Sequence, residues 1–203
     1  MQKQIIIGTR ASILAVAQAE LTKKNLLEID NSLDVVIKKI ITSGDKDQRT
    51  NWNKDNKSLK DMFVKEIEKA LLEGEIHLAV HSMKDMPECP PEGLVTGAIP
   101  LREDNRDIMI SKSGISLMEL PAGSVIGTSS LRRVESIRNL RPDLVIEPIR
   151  GNIHTRIEKL KTENFDGIIL AYAGLKRVGL AHLATEIFDV GKVMPAPGQG
   201  ALC

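Results

Sequence analysis

The 203 residues carry 28 Lys and Arg against 27 Asp and Glu, a formal net charge of +1 that argues against a general polyanion binder. Apolar residues at 42% suffice for real cores and exclude a disordered chain; aromatics at 2% are too few for a base-stacking platform. No apolar run approaches the roughly 18 residues needed to span a membrane, and the N-terminus enters a strand-like segment without a signal-peptide pattern.

Strand-like and helix-like segments then alternate. Residues 4–8 form a β-branched run ending in Gly8, after which Ser12 is placed to cap a helix with Leu14, Ala17, Leu21 and Leu26 near helical spacing. A second strand is expected over 34–41. Residues 42–60 are polar without an apolar period and read as a long mobile loop, a length that usually marks function. Phe63, Ile67, Ala70 and Leu71 mark the buried stripe of the next helix, closed by Gly74, and a third strand follows at 76–80. Around 97–107 the pattern resets through Pro100 and the charged Arg102-Glu103-Asp104, the expected crossing between domains. Strand 125–127, helix 130–140, strand 144–148, helix 153–161 and strand 167–170 complete the series. Such alternation predicts parallel sheets covered by helices. Its restart near residue 124 favours two small domains over one doubly wound domain.

The polar residues that stand out collect where strands end and helices begin: Gly8-Thr9-Arg10, Ser43-Gly44-Asp45, His81-Ser82-Met83-Lys84-Asp85, Gly127-Thr128-Ser129-Ser130 and Arg150-Gly151-Asn152. Open α/β sheets bind ligands at the carboxyl ends of their strands, where free helix N–H groups favour anions. Arg10, Arg132, Arg133, Arg150 and Arg156 belong to these junctions or lie within a turn or two of them. Each alone is more often a solvated charge. Five at one kind of location point to a ligand with several carboxylates or phosphates. Neither a Walker A sequence nor a dinucleotide glycine fingerprint is present, which disfavours nucleotides.

Lys84-Asp85 precedes Met86-Pro87. From spacing alone a surface turn stopped by proline is the more economical reading; in an arginine-rich setting the same carboxylate would stay ionised and could stabilise a developing cation. His81 and Asp85 stand four apart, but no third ligand is near, so no metal site is expected. Cys89 and Cys203 lie far apart and suggest neither a disulfide framework nor zinc. A reducing cytoplasm is the simplest setting. The chain ends at Ala201-Leu202-Cys203, just after a Pro/Gly-rich segment at 195–200, and reads as cut in mid-structure.

These motifs in this order resemble the porphobilinogen deaminase (hydroxymethylbilane synthase) family. The opening Gly8-Thr9-Arg10-Ala11-Ser12, Phe63-Val64-Lys65-Glu66-Ile67-Glu68, Ala79-Val80-His81-Ser82-Met83-Lys84-Asp85-Met86-Pro87, Gly127-Thr128-Ser129-Ser130-Leu131-Arg132-Arg133, Arg150-Gly151-Asn152 with Thr155-Arg156, Ala173-Gly174-Leu175-Lys176-Arg177 and Gly198-Gln199-Gly200-Ala201 carry the match. The resemblance implies an α/β fold of two type 2 periplasmic-binding-protein-like domains with mixed, mostly parallel sheets, one built from 1–98 plus 193–203 and the other from 99–192, with the family's third, α+β domain absent. It implies a cytoplasmic monomer that joins porphobilinogen units with loss of ammonia, carries a growing oligopyrrole, and involves neither nucleic acid nor membrane. Family members hold a dipyrromethane cofactor on a cysteine of the third domain. Neither Cys89 nor Cys203 lies in the glycine-flanked segment that carries it.

By the same resemblance Asp85 matches the catalytic aspartate. Arg10, Ser12, Arg150, Arg156 and Arg177 match substrate-binding positions. Lys84, Thr128, Ser130, Arg132, Arg133, Asp45 and Gln199 match cofactor-binding ones. Lys60 is retained in the mobile loop, yet the loop departs from the family's glycine-rich pattern, reading Lys57-Ser58-Leu59-Lys60-Asp61-Met62-Phe63. His154 stands where the family has a small or amidic residue. A non-catalytic solute-binding protein of the same architecture is the competing expectation.

Overall fold

The computed structural model describes residues 4–42, 61–87 and 89–203. The chain forms two compact units, Met1–Leu101 with Ala201–Cys203 and Arg102–Gly200. The second crossing therefore falls at residue 200 rather than 192. The physical reason is that Val193 is buried in the core of the second unit, and Gln199 donates to Asn105 O and Asp107 Oδ1 there.

In the first unit β1 (Gln4–Arg10) is the middle strand of a parallel sheet, between β2 (Asp34–Ile40) and β3 (Leu78–Ala79). A central parallel strand is covered on both faces and needs apolar residues on both. Ile5 and Ile7 accordingly join a cluster with Ala19, Val35, Val80 and Leu202, and Ile6 joins one with Ile67, Ala70 and Ile76. Helix α1 (Ile13–Ile29) starts as expected at Ser12, whose hydroxyl accepts from Ala15 N. Its buried face only partly follows the expected stripe: Leu26 packs on the core as expected, but Gln18 and Ala19 are buried and Leu27 packs beside them, whereas Leu21 is 39% exposed. The sheet fixes the helix's rotation, and a helix so rich in Leu and Ala offers several candidate stripes. Helix α2 (Asp61–Leu72) buries Ile67 and Ala70. The loop expected over 42–60 lies outside the described residues except for Thr42, and Asp45 and Lys60 lie outside with it.

The second unit is a five-stranded sheet in the order β6-β5-β7-β4-β8, with β4 (Asp107–Ser111), β5 (Val125–Gly127), β6 (Val145–Glu147), β7 (Gly167–Ala171) and β8 (Glu186–Ile187). Strands β5, β6 and β7 run parallel, and β4 is antiparallel to β7 and β8. Helices α3 (Leu131–Leu140), α4 (Ile153–Thr162) and α5 (Tyr172–Arg177) complete the unit. Side chains alternate between two cores with the period of a strand. Ile108, Ile110, Ile168 and Leu170 face one core, and Met109, Ile126 and Ile169 face the other. Strands β4 and β8 and helix α5 are not legible in the sequence, because the charged run before Asp107 hides a five-residue strand and the other two elements are shorter than any periodic signal.

Gly200 closes the second unit. Its φ is +89°, and a Cβ there would lie 2.4 Å from Glu103 O. Its own carbonyl accepts from Glu103 N at 3.1 Å and from Arg177 Nη2 at 2.6 Å. Gly200→Ala is expected to destabilise this unit by about 2 kcal/mol through backbone strain and overlap, read as a lower urea midpoint at unchanged m-value. An unshifted midpoint would mean the crossing yields without cost.

Candidate functional site

Each unit gathers its polar residues at the carboxyl end of its parallel strands. In the first, β1 ends in Thr9-Arg10 and β3 runs on into His81-Ser82. Thr9 is fully buried and donates to Ala15 O at 3.0 Å, tying the strand end to the first turn of α1. From the middle of that helix the buried Gln18 donates to Ser82 Oγ at 2.8 Å. The last residues of the chain pair with the same segment: His81 N donates to Cys203 O at 2.9 Å, Cys203 N to His81 O at 3.0 Å, and Met83 N to Ala201 O at 3.0 Å. Residues Met83–Asp85 then form one 3-10 turn, with Asp85 N donating to Ser82 O at 2.9 Å. The backbone beneath Asp85 is thus held from three sides while its side chain remains exposed.

Electrostatics here follow from burial. His81 is pushed down to about 4, first by burial and then by the Arg10 guanidinium, so it is neutral at physiological pH. Burial, followed by the charge of Asp85, pushes the Cys203 thiol up. A thiol held protonated is a poor nucleophile.

In the second unit β5 ends in Thr128-Ser129-Ser130, β6 leads to Arg150-Gly151-Asn152, and β7 to α5. Thr128 is buried; its Oγ1 accepts from Ser130 N at 3.2 Å, and Ser129 Oγ donates to Ile149 O at 2.9 Å. Helix α3 begins at Ser130, whose side chain makes no capping bond. Helix α4 begins at Asn152, whose Oδ1 accepts from Thr155 N at 2.9 Å. Two helices of ten residues thus start at this edge, and their N-termini favour anions. Arg150 is exposed, Arg156 Nε donates to Gly151 O at 2.7 Å, and His154 is half-buried on the first turn of α4. Arg177 is drawn to the Gly200 carbonyl, and burial lowers its pKa against the opposing charge of Glu103.

The arginine pair on α3 divides. Arg133 is buried and donates to Ile169 O at 3.1 Å and Asp107 Oδ1 at 2.7 Å. Arg132 is a quarter exposed, ion-pairs with Asp107 Oδ2 at 2.7 Å and also donates to Met194 O. Asp107, buried between them, is not among the residues expected from the sequence, where its only signal is a charged residue abutting Ile108-Met109-Ile110. Among the described residues no group of three or more His, Cys, Asp or Glu could hold a metal ion, and no helix is long and apolar enough to cross a membrane.

Two small α/β units with polar strand ends define the class, that of type 2 periplasmic-binding-protein-like folds. A methionine binding protein superposes with a TM-score of 0.53 at 15% identity, covering 98% of this chain and 82% of its own. An arginine-specific periplasmic binding protein of Salmonella typhimurium gives 0.50 at 12%, covering 98% and 84%. At such identities the likeness is one of fold alone.

Sequence goes further. The family model described as "Porphobilinogen deaminase, dipyromethane cofactor binding domain" matches residues 5–203, and the chain belongs to the porphobilinogen deaminase family. A porphobilinogen deaminase of Fusobacterium nucleatum is 54% identical over all of this chain and 67% of its own length. That of Bacillus subtilis is 51% identical over all of this chain and 64% of its own, and that of Paenibacillus macerans 49% over 99% and 63%. The chain thus spans about two thirds of the length of these relatives.

Proposed function

We propose that this chain is the substrate- and cofactor-handling part of an enzyme that joins four porphobilinogen units into hydroxymethylbilane with loss of ammonia. The observation that carries the reading is the presentation of Asp85. An exposed carboxylate stands on a turn held by backbone bonds to Ser82 and to Ala201–Cys203, beside Lys84 and at the same strand ends as Arg10 and Ser12. Such a carboxylate accepts hydrogen bonds from a pyrrole N–H and balances the positive charge that develops as the aminomethyl C–N bond of porphobilinogen breaks. The substrate's acetate and propionate call for guanidinium partners, and Arg10, Arg150, Arg156 and Arg177 are assigned to them.

The donors on the second unit fit a carboxylate-bearing dipyrromethane. Among the described residues Arg132 Nε and Nη2 have no partner, and the Ser130 hydroxyl is not spent on the helix cap. Thr128, Ser130, Arg132 and Arg133, with Lys84 and Gln199 and, outside the described residues, Asp45, are assigned to hold it. When bound, that group supplies a tethered pyrrole with a free α-carbon for the incoming unit. The raised Cys203 thiol and the exposed Cys89 give no support to either as its anchor. The reading makes the enzyme a cytoplasmic monomer that works on small anions.

The test is to supply the complete protein with porphobilinogen and follow ammonia release and tetrapyrrole formation together. Release of about one ammonia per substrate, with hydroxymethylbilane as product, is expected. Tight reversible binding of small anions without substrate consumption would instead make it a solute-binding protein.

A further inference from the structure

Asp107 is the centre of a buried polar cluster, and the topology puts it at the ligand end of the sheet. Because β4 runs antiparallel to β7, its first residue pairs with Ala171, the last residue of β7. A strand beginning thereby stands among strand ends. The Asp107 side chain is 0% exposed. Its Oδ1 accepts from Arg133 Nη2 at 2.7 Å and from Gln199 Nε2 at 2.8 Å, and its Oδ2 lies 2.7 Å from Arg132 Nη1. Burial alone would push this carboxyl up; the charges and hydrogen bonds of Arg133 and Arg132 outweigh it and hold the group below the usual carboxylate range.

The two arginines are used differently. Arg133 spends Nη1 on Ile169 O and Nη2 on Asp107, and its Nε is buried without a hydrogen-bond partner, so it offers a ligand no pair of unspent nitrogens. Arg132 spends only Nη1, on Asp107 and Met194 O. Its Nε and Nη2 together form the kind of parallel donor pair that grips a carboxylate bidentately.

We propose that Asp107 is a positioning residue: it tethers Arg132 by one nitrogen so that the Nε–Nη2 edge stays available for a ligand carboxylate, while Arg133 and Gln199 fix the Asp107 carboxylate itself. The inference rests on the assignment of Arg132 to the dipyrromethane made above. Its physical content is preorganisation, since a tethered guanidinium loses less rotamer freedom on binding than a free one.

The proposal makes a prediction opposite in sign to charge counting. Asp107→Asn raises the net charge of the cluster from +1 to +2, which by charge alone would tighten anion binding. Positioning predicts the reverse. With a synthetic dipyrromethane bearing acetate and propionate side chains as probe, titrated calorimetrically into the chain, Arg132→Gln should weaken binding by about 10-fold or more, the loss of a charged bidentate contact. Asp107→Asn should weaken it by about fivefold, roughly the effect of losing a preorganising contact, and Asp107→Glu should restore part of that. In the Arg132→Gln background Asp107→Asn should change nothing further, because it acts through Arg132. Near-UV circular dichroism checks each fold. If Asp107→Asn does not fold, Gln199→Met removes one bond to Asp107 without changing charge; it should weaken binding measurably in the Arg132 chain and change nothing further in the Arg132→Gln background, which separates loss of the tether from loss of a contact made by Gln199 itself. Unchanged or tighter binding in Asp107→Asn, or in Gln199→Met where that variant stands in, overturns the proposal, as does an undiminished effect in the Arg132→Gln background. Those results leave the assignment of Arg132 standing, whereas a wild-type chain that does not bind the probe, or an Arg132→Gln variant that binds it normally, sinks the assignment and the inference with it.

Discussion

Asp85→Asn in the complete protein is expected to lower porphobilinogen turnover by about 10²- to 10³-fold, the usual loss when one group aimed at developing charge is removed. The asparagine keeps the shape of the side chain and removes its charge, so it can no longer balance a cation forming as ammonia leaves. Because the side chain is exposed while Ser82 O accepts from the Asp85 backbone amide, the substitution should leave the turn intact and change stability by less than about 0.5 kcal/mol. Asp85→Glu keeps the carboxylate but displaces it by a methylene, and a small residual rate should survive. Steady-state kinetics paired with an intact mass of each variant separates this from a loading defect. Wild-type turnover in the asparagine variant would take Asp85 out of the chemistry.

Acid should weaken the first unit well before most carboxylates titrate. The ordinary histidine value is 6.5, and folding depresses His81 to about 4, through burial first and Arg10 second. As pH falls below about 6.5 the unfolded chain takes up a proton that the folded chain refuses until about pH 4. Stability is therefore complete above pH 6.5 and lost across that window. The depression of His81 from 6.5 to about 4 corresponds to about 3 kcal/mol. Urea unfolding of the wild type at pH 7 and pH 4.5 should show most of this loss, and His81→Asn, neutral throughout, should show a shallower pH dependence. Parallel curves for the two proteins would mean that His81 is charged in the fold.

Much of the local structure around the candidate site could be read before any fold was known, because its signals are local. Ser12 caps α1 because a hydroxyl at that offset reaches Ala15 N whatever the rest of the chain does. The strand-then-helix reading at 125–140 survives because three apolar residues followed by Thr-Ser-Ser and a helical period allow few other local structures. The motif around Lys84-Asp85 was visible for its composition, although its economical reading as a surface turn describes the local geometry equally well. Its support comes from residues 201–203, more than a hundred positions away.

By itself the sequence determined the alternation of strands and helices, the junctions at which polar residues collect, and the family, since all three depend on neighbours in the chain or on ordered motifs. Only the tertiary structure decided which polar residues face inward. Arg133 and Asp107 are each among the most hydrophilic of residues; nothing nearby in sequence marks Arg133 for burial, and Asp107 has only its apolar neighbours Ile108-Met109-Ile110 to suggest it. They become a buried pair only when β4 inserts beside β7 and brings together groups 26 positions apart, each neutralising the desolvation penalty of the other. The same antiparallel insertion places the start of β4 among the ends of its neighbours, and strand direction within a sheet is set by long-range packing that no local pattern encodes.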